Sequence, residues 1–263
     1  MGEDAARSDA PIAPLPAGPA GTRTGLRASE HPQRLLDLVP VPQQTFDTFV
    51  VGDNAELVAQ LRGDCTGADR FVYLWGGAGS GRSHLLRATV VAGVGASPGT
   101  GRYLDLGAPD APSGIELLVD ATGTALRRIA LDNVHTLDAG GQQRLFNLYN
   151  TVRVERPGCM LLVSGNSPPA ALPLRADLIT RLSWGLTYEV RPLTDAQKAA
   201  AMAGHALARG VVLGDDVLAW LLQTMPRDMP SLLAVIEALD RYSLAAKRTL
   251  TLPLAREWLR SLG

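Results

Sequence analysis

GGAGSGRSHL, residues 76–85, matches the phosphate-binding pattern G-x-x-x-x-G-K-[ST] at Gly76, Gly81 and Ser83 but carries Arg82 where the pattern has lysine. The pattern works because glycines let backbone N–H groups curl around a phosphate. The helix that follows adds positive potential, and a cation neutralises the charge. Here an apolar, β-forming run, FVYLW (71–75), precedes the loop, and RSHLLRATVVA (82–92) follows it with helical spacing. Strand, loop and helix in that order separate a phosphate site from a flexible glycine turn. The candidate nucleotide contacts are Gly76, Gly79, Gly81, Arg82, Ser83 and His84, with Ser83 a ligand of Mg²⁺ if the ion is present. Arginine pairs with phosphate, even in a bidentate way, but its bulky planar group does not place charge as a compact ammonium does. Nucleotide binding without efficient hydrolysis is the expectation.

Outward from the loop, RRIALDNVH (127–135) reads as a strand ending in Asp132. An acid at the end of a neighbouring strand would hold Mg²⁺ through water; the plainer reading is a turn cap. Hydrolysing P-loop proteins follow this acid with a second one that activates water, whereas here Asn133 cannot accept a proton. Arg82 and Asn133 therefore point the same way. CMLLVSGNSPP (159–169) is another strand, after which Asn166 either lies beside a γ-phosphate or closes the turn.

RYLDL (102–106) and LTYEVRPL (186–193) complete five strands. QQRLFNLYNTVRVE (142–155) places Leu145, Leu148, Tyr149 and Val152 on one helical face, and RADLITRLSWG (175–185) makes a short helix. This alternation predicts an α/β fold with a five-stranded, mainly parallel sheet and helices on both faces, over residues 45–192. From Thr194 the pattern turns helical, with three segments (194–210, 215–225 and 230–247) bounded by Asp/Thr/Ser starts and Gly or Pro ends. Residues 193–263 are expected to be a separate all-helical piece.

At 263 residues and 46% hydrophobic, the chain can bury one large core or two smaller ones. Its net charge of −1 offers no basic excess for tight direct binding to nucleic acid. Lys198 and Lys247 are its only lysines, so one Arg-for-Lys exchange says little by itself. Cys65 and Cys159 are too few for a disulfide framework, which makes a reduced cytoplasmic setting the expectation. Residues 1–32, rich in Ala, Pro and Gly without a hydrophobic period, read as a disordered tail. Their acidic start is no secretory signal, and no uncharged apolar run approaches the ~20 residues that span a bilayer.

Three features stay open on the residues alone. Arg181 lies in DLITRLSWG, where Leu178, Ile179 and Leu182 form the apolar side, and is either simply exposed or functional. Arg227 opens a C-terminal helix, where a cation opposes the helix dipole, and is either a surface arginine or one retained for a purpose other than stability. QRLLDL (33–38) alternates leucine with aspartate in a proline-bracketed stretch, as an extended docking peptide does; alternatively its leucines pack on the body of the protein.

Taken in order, these motifs resemble the AAA+ superfamily, and finer matches narrow the likeness. TFDTFVVGDNAEL (45–57) resembles the segment that leads into the ATPase domain of the bacterial initiator DnaA and lies against adenine. YLWGGAGSGRSHLL, LDNVH, LLVSGNSPP, DLITRLSWG and RPLTDAQK resemble the DnaA-related Hda family, whose P-loop also tends to carry arginine. The likeness runs from Gln33 to the end. It implies an AAA+ P-loop core (45–192), a helical lid (193–263), and bound ADP or ATP, with Mg²⁺ if present. Asp132 and Asn166 would face the nucleotide, and Arg227 would sense it from the lid. Arg181 would serve as an arginine finger in trans. In the linear motif and linker (33–44), Gln33, Leu36 and Leu38 would bind the DNA polymerase III sliding clamp, although Arg34 stands where the family usually has an apolar residue.

The function so implied is negative regulation of replication initiation: with the clamp loaded on DNA, the protein stimulates hydrolysis of ATP bound to DnaA. Its partners would be DnaA and the clamp, with DNA reached only through the clamp, no membrane, and self-association left open. DnaA continues past its lid into a helix-turn-helix domain, whereas this sequence stops at Gly263, so direct DNA binding is not expected. The runner-up is a self-hydrolysing AAA+ ATPase such as a helicase loader, against which Asn133 speaks.

Overall fold

The structure, a computed structural model, describes residues 43–63, 67–94, 100–120 and 126–262. The expected tail (1–32) and Gln33, Leu36 and Leu38 of the expected clamp motif lie outside the described residues. FVYLW forms β1 (Phe71–Trp75). The other strands are β2 (Gly101–Asp105), β3 (Arg128–Asp132), β4 (Met160–Gly165) and β5 (Leu186–Glu189). They assemble in the order β2-β3-β4-β1-β5, and all four pairings are parallel.

A central parallel strand is covered on both faces, so its side chains are apolar throughout and alternate between two cores. Phe71 and Tyr73 join Ile129, Leu131, Leu161 and Val163 on one face. They pack with residues of α3 (Ala111–Asp120), α4 (Ala139–Glu155) and α5 (Ala176–Leu182). Val72 and Leu74 join Ala130 and Leu162 on the other, with residues of α1 (Ala55–Arg62) and α2 (Arg82–Val94). The start of α4 is set by Asp138, whose carboxylate accepts the Gly141 N–H at 2.7 Å. Leu145, Leu148, Tyr149 and Val152 are its buried face, as the spacing predicts.

The C-terminal part contains α6 (Asp195–Ala208), α7 (Asp215–Thr224), α8 (Met229–Ala246) and α9 (Leu252–Ser261) around a core of its own, which includes Met202, Leu221, Leu232, Ile236 and Trp258. Four helices thus replace the three expected. Pro253 obscures α9 in the sequence, yet the first turn of a helix tolerates proline because its N–H groups lack intrahelical partners. A second correction concerns Asp132. Its strand, β3, is not the neighbour of β1; β4 lies between them. No helix among the described residues is long and apolar enough to cross a membrane.

Candidate functional site

Parallel pairing brings the strand C-termini to one edge of the sheet, and the loop after β1 opens there. Space demands Gly76, since a Cβ would lie 2.6 Å from the Val190 carbonyl oxygen. Gly81 is demanded twice over, by a φ of 101° and by the Phe49 ring, which a Cβ would approach to 2.8 Å. The loop then enters α2, and Gly79, Ser80, Gly81, Arg82, Ser83 and His84 all line a cavity of about 220 Å³.

Three helix N-termini meet at this cavity. α2 contributes Arg82 and Ser83, α6 contributes Lys198 one turn in from its cap Thr194, and α8 contributes its cap Asp228 together with the preceding Arg227. Each N-terminus carries positive potential, to which three cationic side chains are added. Asp228 is the one acid in the described lining, and its carboxylate is taken up by the Ser231 N–H at 2.9 Å. Ser80 Oγ is buried beneath the loop beside Gly76, without a hydrogen-bond partner. Phe49, Val50, Leu193, Met229 and Pro230 form an apolar wall beside these charges. One cationic and one apolar wall suit the phosphates and base of a nucleotide.

His84 belongs to the wall rather than to the cations. Its Nε2 hydrogen-bonds the Thr45 carbonyl at 2.8 Å, and its ring meets Phe49 edge-on at 5.2 Å, so it fastens segment 45–49 onto α2. Burial pushes the imidazole below its ordinary range. Asn54 fastens the same segment further along, donating to the Arg191 carbonyl at 3.0 Å and accepting the Arg191 N–H at 2.8 Å.

The strand ends beside the loop are engaged with one another. Arg82 Nη1 donates to the Gly165 carbonyl at the end of β4. Asp132 is buried, and its Oδ1 accepts from Ser164 Oγ and from the Asn133 N–H at 3.1 Å. Its Oδ2 accepts from the Tyr103 hydroxyl at 2.9 Å, and that phenol is pushed up to about 12 by burial and by the Asp132 charge. Asn133 has a left-handed backbone (φ 63°), and its amide donates to Asp105 Oδ1 at 2.9 Å. The residue in the water-activating position is therefore both an amide and tied to β2. Asn166 is exposed, immediately after β4.

Protein donors already occupy both Asp132 oxygens, and no cluster of three His, Cys, Asp or Glu able to hold a metal exists among the described residues. The donor set fits only a Mg²⁺ held chiefly by phosphate oxygens and water, with Ser83 beside it, as suits this ion.

Arg181 lies outside the cavity lining. Its guanidinium is stacked on Phe146 at 4.1 Å and on Trp184 at 4.3 Å, and Arg153 stacks on Trp184 at 4.4 Å. Arg181 Nε is buried without a hydrogen-bond partner. The plain reading of a free surface arginine does not describe it. Arg227, by contrast, is more than half exposed and ion-paired with Asp195, whose carboxyl it holds below the usual range by hydrogen bonding.

Of the residues singled out in the sequence, Gly79, Gly81, Arg82, Ser83, His84 and Arg227 come together around one cavity, while Gly76 supports the loop from behind. Lys198 escaped the sequence reading. Its signal was scarcity, as one of two lysines in a chain that otherwise uses arginine. Ser164 and Tyr103, the partners of Asp132, left no sequence signal.

Residues 195–259 match a family model described as Hda, lid domain. The fold is similar to domain III of the replication initiation protein DnaA from Thermotoga maritima, with TM-score 0.62 and 20% identity over 85% of this chain and 98% of that one. AMPPCP-bound DnaA from Aquifex aeolicus is similar at TM-score 0.58 and 19% identity, over 78% of this chain and 67% of that one. RuvB of Thermotoga maritima gives TM-score 0.58 and 12% identity over 85% and 72%. Identities this low speak for a shared fold.

Proposed function

We propose, from the premise that the chain is an Hda/DnaA-related AAA+ protein, that it regulates replication initiation: it holds an adenine nucleotide as a structural ligand and, with the DNA-loaded sliding clamp, stimulates hydrolysis of ATP bound to DnaA. The observation that carries this reading is Arg181, a guanidinium clamped between two aromatic rings, away from the protein's own cavity and without a carboxylate partner among the described residues. A cation so held suits the charge that develops on a partner's phosphates, where an arginine supplied in trans is worth ~10³–10⁵ in rate in GTPase systems.

The protein's own site supports the same division of labour. Asn133 cannot act as a base and is turned toward Asp105, and Asp132 is committed to Tyr103, Ser164 and the Asn133 N–H. Two walls suited to base and phosphates, and the AMPPCP held by a DnaA of the same fold, support an adenine nucleotide. ADP is our choice over ATP, since a ligand with a purely structural role needs no γ-phosphate. Gln33, Leu36 and Leu38 are proposed as the clamp contacts.

The test is single-turnover hydrolysis of labelled ATP pre-bound to DnaA, with clamp on DNA and this protein added. Arg181→Ala should lower the stimulated rate by about 10³-fold or more while clamp binding persists. Undiminished stimulation removes the finger role, and brisk ATP turnover by the isolated protein favours a self-hydrolysing ATPase instead.

A further inference from the structure

We infer that Lys198 supplies, from the helical C-terminal part, the ammonium that the phosphate loop lacks, and that it binds the phosphates of a nucleoside diphosphate held in the cavity. The inference rests on the nucleotide-holding part of the function proposed above and goes beyond it by naming a ligand outside the loop.

Arg82, in the lysine position of the loop, spends one Nη donor on the Gly165 carbonyl, and its planar group cannot concentrate charge at a point. Lys198 lines the same cavity from the opposite element. Its ammonium makes no hydrogen bond or ion pair with any described residue, although it feels the field of Asp195. It also lies where a cation is a disadvantage to its own helix, one turn from the N-terminus of α6, so stability does not account for it. The neighbouring carboxylates are otherwise committed: Asp195 pairs with Arg227, and Asp228 caps α8. A half-buried lysine whose ammonium makes no close contact among the described residues, lining the cavity that Arg82 and Ser83 of the phosphate loop also line, is arranged for an anionic ligand. The competing account makes Lys198 a counter-charge to Asp195 and nothing more.

The two accounts separate by calorimetric titration of the full chain with ADP and, in parallel, with adenosine. Wild-type protein should bind ADP; failure to do so overturns the nucleotide-holding reading itself. Lys198→Gln should weaken ADP by about ten- to a hundredfold, in the range of a lost charge-assisted hydrogen bond, and leave adenosine unchanged. Lys198→Arg should restore part of the ADP affinity, and Asp195→Asn should tighten ADP by removing a nearby negative charge. Unchanged ADP affinity in Lys198→Gln, or equal loss of ADP and adenosine, overturns the phosphate role. Melting midpoints of each variant check that the fold is retained.

Discussion

At the residue scale, the His84 imidazole is pulled below its ordinary 6.5 by burial, against the Thr45 carbonyl, which favours the charged form. His135, just beyond β3, is lowered in the same sense by burial and by the positive charge of Arg82. The unfolded chain takes up protons on these rings near 6.5, whereas the folded chain resists until lower pH. Stability is therefore complete above about 6.5 and declines as pH falls below it. A thermal melting series from pH 7.5 to 5 should stay level at first and then fall, and His84→Gln should make the fall shallower. A profile of unchanged slope in that variant removes His84 as a contributor. The residue types at the site were legible in the sequence, but their orientations were not. Arg82 and Asn133 stood out by departing from a pattern. That Asn133 turns toward β2 follows from its left-handed backbone and from an aspartate 28 positions away, which local spacing does not encode.

At the scale of elements, α4 serves two purposes. Its buried face fills the core on one side of the sheet, and Phe146, only half buried, forms one of the two rings holding Arg181. Leu148→Ala in the fully buried stripe should cost about 2–5 kcal/mol, and Asp138→Ala at the cap about 1 kcal/mol, both read by urea unfolding. Near-neutral effects would mean that α4 is held mainly by something other than its apolar stripe and cap. The period of α4 was plain in the sequence because long apolar side chains recur along one face. Helices α3 and α9 were hidden for the opposite reason. APSGIELLVD and LPLAREWLRS carry proline, and the former also glycine, residues that mark turns unless packing overrides them. Ile115 and Leu118 of α3, and Leu254, Ala255 and Trp258 of α9, are buried, which supplies the override.

For the whole molecule, the alternation of strands and helices announced an α/β fold, yet strand order was beyond reach. Periodicity reports which face of a strand is buried, not which strand lies beside it, so it does not encode the insertion of β4 between β1 and β3. The cavity was hidden in part for a related reason, since it gathers residues 44–54, 79–84, 193–198 and 227–230 from distant parts of the chain. On the proposed function, one further segment belongs to the working protein. Replacing Gln33, Leu36 and Leu38 with alanine should abolish capture by immobilised clamp while leaving the melting midpoint and ADP affinity as they were. Clamp capture that survives the triple change would place the clamp contact elsewhere in the chain.

The tip of β4 has a position that its sequence, two small residues, does not advertise. Ser164 reaches sideways to Asp132 while the very next carbonyl, on Gly165, receives Arg82. Loop and acid are thus yoked to adjacent peptide units of a single strand. A ligand that drew Arg82 off Gly165 would change the electronic surroundings of that carbonyl without any side chain there having to bind it. A ¹³C label at the Gly165 carbonyl is therefore a built-in gauge of what the loop is holding.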